Sequence, residues 1–176
     1  MPEPHTRPVL VGMNNPLSPD PAHALYPSPV NCTGWRIWRM LCDYAGVPIP
    51  ARAYCRAFDR RNLISSPQWS KSEARRVAPD LWSSLEGRTV LVFGVETLGA
   101  LRLPRPPEAE LQAPEPTLLG GGPAAWAWAP HPSGRCHWYN DRRNRHKVGA
   151  LLFGLFGLTP EALEFLPDLR GRQKED

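Results

Sequence analysis

The run HPSGR, residues 131 to 135, packs three chemically useful side chains into five positions and opens the longer stretch HPSGRCHWYN. An imidazole such as His131 can donate a hydrogen bond to negative charge that develops during a reaction. Ser133, with the backbone amides beside it at Gly134, suits phosphate oxygens. Arg135 offers a flat guanidinium that binds phosphate as a fork or stacks on a ring. The basic run DRRNRHK comes directly after and adds Arg142, Arg143, Arg145 and Lys147 as further anion contacts, together with the start of the next helix. Near the other end of the chain, GMNNP (12–16) carries two side-chain amides. An amide orients a water molecule but cannot take its proton, so chemistry relying on one is slower than chemistry with a carboxylate in the same place.

These residues need a frame. Four short apolar runs predict strands: Pro8 to Gly12, Tyr54 to Leu63, Thr89 to Gly94 and Ala124 to Ala129. Their continuous apolarity predicts burial on both faces, as in a parallel sheet. Helices are expected at Gly34 to Ala45, from the capping box Ser70-Lys71-Ser72-Glu73 toward Leu85, over Asn140 to Phe156, and from Thr159-Pro160 onward. Trp35 and Trp38 share a helical spacing and read as core; Trp126 and Trp128 read as strand residues. Strand–helix alternation gives an α/β fold, a three-layer α/β/α sandwich around a short, mainly parallel four-stranded sheet. Ligands of such sheets bind beyond the carboxyl ends of the strands. GMNNP, Asn62 with Ser65-Ser66, Gly94-Val95-Glu96 and HPSGRCHWYN all come after strands, and so converge on one side.

The whole chain sets bounds. Its 176 residues suit a single domain spanning 1–170, with an exposed Pro/Gly-rich loop at 103–123 and a charged tail at 171–176. No apolar run is long enough to span a membrane, and MPEPHTRP lacks the apolar core of a secretory signal, so a cytoplasmic monomer is the expectation. A net charge of +4, almost all of it from Arg, leans toward nucleic acid or another anionic partner, although a composition rich in Arg, Ala and Pro has the same effect. Cys32, Cys42, Cys55 and Cys136 contain no CxxC pair, and free thiols without a metal are expected. No GxGxxG or GxxxxGK[ST] is present to mark a nucleotide-binding α/β protein.

GMNNP after the first strand, HPSGR after the last and FDRRNL between them resemble the motifs of the uracil-DNA glycosylase superfamily, over roughly Val9 to Leu155. The Gly-x-Asn start is closest to its mismatch-specific and single-strand-selective monofunctional branches. The resemblance implies an enzyme that flips a uracil or other damaged or modified base out of single- or double-stranded DNA and hydrolyses its N-glycosidic bond, with no cofactor. His131 would stabilise the departing base as an anion and Asn14 would hold the attacking water. An extra Asn15 stands before Pro16, leaving open which of the two amides does so. Asn62 would read the base edge, and Tyr26 would stack on it or simply pack its loop. Ser133 and Gly134 would hold compressed phosphates and Arg135 would fill the vacated gap. No lysine lies in either motif to form a Schiff base, which implies monofunctional chemistry. The alternative is a DNA-binding protein of the same fold with little or no catalysis.

Overall fold

The computed structural model describes residues 7–104, 117–118 (backbone only), 125–157 and 159. Four parallel strands form the sheet: β1 (Val9–Gly12), β2 (Asp59–Asn62), β3 (Thr89–Phe93) and β5 (Ala125–Ala129). A two-residue strand, β4 (Thr117–Leu118), adds antiparallel to β5, so the spatial order is β2-β1-β3-β5-β4. The helices are α1 (Thr33–Ala45), α2 (Ala51–Ala57), α3 (Lys71–Ser83), α4 (Val95–Ala100) and α5 (Arg142–Phe156). No helix among the described residues is long and apolar enough to cross a membrane.

The three layers arise from the period of two along each strand. Leu10, Leu91, Phe93, Ala127 and Ala129 face one way and pack with α1, α2 and α5. Val9, Val11, Val90, Val92, Trp126 and Trp128 face the other way, toward α3 and α4. The strand tryptophans therefore fill one core, and the alanines between them let α1 and α5 approach the other. Ser70 caps α3 by accepting from the Glu73 amide at 3.3 Å, half of the expected capping box.

Two expectations change. The run from Tyr54 to Leu63 divides: its first part belongs to α2, with Tyr54 and Ala57 buried, and only Asp59–Asn62 is strand. The sheet also gains β4, which lies inside the segment expected to be an exposed loop. The rest of that loop beyond Pro104, the helix after Thr159 and the charged tail lie outside the described residues.

At the amino ends of the strands, Arg88 is almost fully buried and donates to Asp59 Oδ2 at 2.7 Å and to the Arg7 carbonyl at 2.8 Å. Arg61 forks onto the same carboxylate at 3.0 and 2.9 Å. Burial works to raise the Asp59 pKa, but the hydrogen bonds and charges of Arg61 and Arg88 outweigh it and hold the carboxyl below the usual range. A depressed carboxylate contributes stability above its unfolded pKa and loses it as pH falls through the folded value. Arg88→Met should therefore cost about 2 kcal/mol at neutral pH. That deficit, read from denaturant melts, should shrink toward zero once the pH is well below 3.8, the ordinary value. A deficit of unchanged size in acid would show that Arg88 acts by packing instead.

Candidate functional site

The chain runs from β1 out to β2 and returns to place β3 on the other side of β1, so the strand order reverses between β1 and β3. At that reversal, beyond the carboxyl ends, helices diverge and leave a crevice. A cleft of about 260 Å³ lies in this region, with Asn14, Asn15, Tyr26, Gly34, Ser133 and Gly134 among its walls. The loop after the first strand and the loop after the last thus share one cavity.

The geometry separates the two asparagines. Asn14 Nδ2 donates to the carbonyls of Ser66 and Pro67 at 3.2 and 2.8 Å, tying the β1 exit to the β2 exit. Only an NH2 group can face two carbonyl oxygens, so the amide orientation is fixed. The carbonyl end of Asn14 has no hydrogen-bond partner among the described residues. Asn15 spends both ends inside its own loop: Nδ2 donates to the His23 carbonyl at 3.1 Å, and Oδ1 accepts from the Leu17 amide at 2.9 Å. Asn14 therefore keeps a spare acceptor and Asn15 does not.

Tyr26 is held from below by donors that grip main-chain carbonyls. Arg60 of β2 donates to Ala24 and Ala22 at 2.9 and 3.4 Å, the buried Tyr54 hydroxyl to Leu25 at 3.1 Å, and the Cys32 thiol to Tyr26 at 3.4 Å. Leu25 sits in the left-handed region at φ 46°, a costly conformation for a branched residue that such bonds stabilise. A Cβ on Gly34 would lie 2.2 Å from the Tyr26 carbonyl oxygen, so only glycine lets α1 approach this loop. The Arg60 guanidinium lies 5.6 Å from the Tyr26 ring centroid, a cation–π contact. Tyr26 as a whole is 41% exposed and lines the cleft.

Asn62 pairs with Gly12 at the end of β2. Its Oδ1 is buried without a hydrogen-bond partner among the described residues, a condition that costs about 1–3 kcal/mol unless a partner arrives. His131 lies against the β3 exit, where Gly94 adopts φ 94° and a Cβ would meet the His131 Cβ at 3.1 Å. Burial pushes the His131 pKa below its ordinary value, so the ring is neutral at pH 7. Neither Asn62 nor His131 lines the open cleft; each stands at a strand end beside it.

The HPSGR loop is anchored by the turn between it and α5. The buried Tyr139 hydroxyl donates to the Pro130 carbonyl at 2.6 Å, and Arg145 donates to the carbonyls of Tyr139 and Asn140. Asn144 donates to Trp138 at 2.9 Å, and the Trp138 and Tyr139 rings meet edge to face. Trp138, Tyr139 and Asn140 thus lie in the single turn that ties the loop to the helix.

The basic run divides. Arg143 is forked onto Asp141 at 3.1 and 2.8 Å, and Asp141 caps α5 by accepting from the Arg143 amide. Arg143, expected to contact phosphate, is thus paired with a carboxylate at the helix start while its side chain stays exposed. Arg142 and Lys147 are exposed and, like exposed Arg135, make no ion pair among the described residues. Arg60, which backs Tyr26, was not anticipated at the site, although its place two positions before Asn62 on the same strand face was a signal.

No protein-family model matches the chain, and no curated protein matches it either.

Proposed function

We propose that the protein is a monofunctional DNA glycosylase. The observation that carries this reading is the shared cleft: the Asn14 loop, the Tyr26 ring and the Ser133-Gly134 turn meet beyond the carboxyl ends of a parallel sheet. A flipped base would enter that cleft and stack on the face of Tyr26 that Arg60 does not back. The free Asn14 carbonyl would accept a hydrogen bond from the attacking water and aim its oxygen at the sugar carbon. His131, neutral in its half-buried place, would donate to the base carbonyl as the C–N bond breaks and electrons move onto the base. The unpaired Asn62 oxygen would gain its partner from a donor on the base edge. Ser133 and Gly134 would hold the phosphate, and Arg135 would fill the gap in the stack.

The test is excision from single- and double-stranded oligonucleotides carrying uracil, hypoxanthine, mismatched thymine or a modified pyrimidine, with alkali added afterwards. Cleavage is expected for at least one base. Folded protein that binds these DNAs and cleaves none would favour a binding module of the same fold.

A further inference from the structure

A second cavity, of about 190 Å³, lies on the other side of Ser133 and Gly134. Its walls include Trp35, Arg36 and Arg39 from the first turns of α1. Trp38, one turn on, packs against the core and donates its indole N–H to the Ile49 carbonyl at 2.8 Å. Trp35 belongs to neither core and has no hydrogen-bond partner for its indole among the described residues. An aromatic ring of this size, half-buried in a polar cavity, is a platform for another flat ring.

The charges beside it are graded. Arg145 is committed to two carbonyls, and Arg39 is paired with Asp43 at 2.9 Å. Among the described residues Arg36 uses only Nε, donating to the Asn31 carbonyl at 3.1 Å. Its Nη2 lies 3.4 Å from where a Cβ on Gly134 would stand, directly over the turn that divides the two cavities. The terminal nitrogens of Arg36 therefore remain available at the dividing turn, where a chain passing from one cavity to the other must cross.

Resting on the glycosylase reading, we propose that this cavity seats the nucleotide next to the extruded one. Arg36 binds the phosphodiester between the two, and Trp35 stacks the neighbouring base after it has left its own stack. A duplex resists unstacking two successive nucleotides, so the site favours single-stranded or frayed DNA.

Binding of a fluorescent single-stranded oligothymidylate tests the idea, using the full chain with Trp35→Ala, Trp35→Phe, Arg36→Ala and Arg36→Lys, each checked for folding by thermal melting. Trp35→Ala should weaken binding roughly 5- to 150-fold, the range of one lost base–aromatic stack. Trp35→Phe should stay within about threefold of the parent. Arg36→Ala should lower the slope of log affinity against log salt by about 0.7, one single-strand phosphate contact, and Arg36→Lys should restore it. Parent-like binding by folded Trp35→Ala, or an unchanged slope in Arg36→Ala, overturns the proposal. Binding that depends on Trp35 in a protein that excises no base keeps this site and removes the glycosylase reading. Excision indifferent to both residues does the reverse.

Discussion

His131→Ala should lower excision by about 10²- to 10³-fold, the usual cost of removing one donor aimed at a developing anion, while leaving DNA affinity within a few fold. The physical basis is the protonation state. Burial holds the His131 pKa below its ordinary value, so under the glycosylase reading the neutral ring would act by hydrogen-bond donation and not by charge. Its donor strength is therefore constant across the neutral and alkaline range, and the parent rate should change little between pH 7 and 9. A half-buried histidine whose pKa is held below its ordinary value also opposes folding in acid, where the unfolded chain binds a proton more readily. The His131→Ala protein should accordingly tolerate acid no worse than the parent. Single-turnover excision and anisotropy on one oligonucleotide separate the two effects. Equal losses of binding and excision would place His131 in DNA contact and not in the chemistry.

Asn14→Asp gives the second large effect, and its sign distinguishes two accounts. If the residue only lacked a base, a carboxylate in its place would accelerate hydrolysis. The hydrogen bonds argue otherwise. The Asn14 NH2 faces the carbonyls of Ser66 and Pro67, and a carboxylate oxygen there would meet two acceptors. The loop would have to move, at a cost of about 1–3 kcal/mol, and would carry the water away from its position. Excision should fall at least about tenfold, with a matching loss of thermal stability. Asn14→Ala should lose the water but repel nothing, and so be the more stable of the two. A faster Asn14→Asp enzyme would mean that the loop re-registers and that its anchoring is dispensable.

The sequence carried most of the sheet, for an identifiable reason. β1, β3 and β5 are buried on both faces, so their runs are apolar without interruption. β2 is an edge strand, and the residues it turns toward α1 and α2 are Arg60 and Asn62. Its strongest apolar signal, around Tyr54, came instead from the preceding helix. α4 is six residues long, too short for a helical period to show, and β4 exists only through its pairing with β5. In the site, residues at or just after strand ends were legible because topology and the motif resemblance both mark them: Asn14, Asn62, His131 and Ser133. Arg60 reaches Tyr26, and Trp35 and Arg36 reach the second cavity, through tertiary position. Trp35 and Trp38 lie about 60° apart around the helix, close enough to share a stripe in sequence. That angle is still wide enough for one to meet the core and the other the second cavity.

The loop beneath Tyr26 is gripped through the main-chain oxygens of five successive residues, Ala22 to Tyr26. Every amino acid carries such an oxygen. Ala24 is buried, but the exposed side chains of Ala22 and His23 carry little of that grip, His23 meeting Ser18 in an exposed hydrogen bond, while the donors Asn15, Cys32, Tyr54 and Arg60 carry most of it. Under the glycosylase reading, exchange of the exposed His23, which lines the cleft, would alter the shape offered to a base without costing the loop its course. New base preferences would then arise by substitution within the loop, against a fixed set of donors elsewhere in the chain.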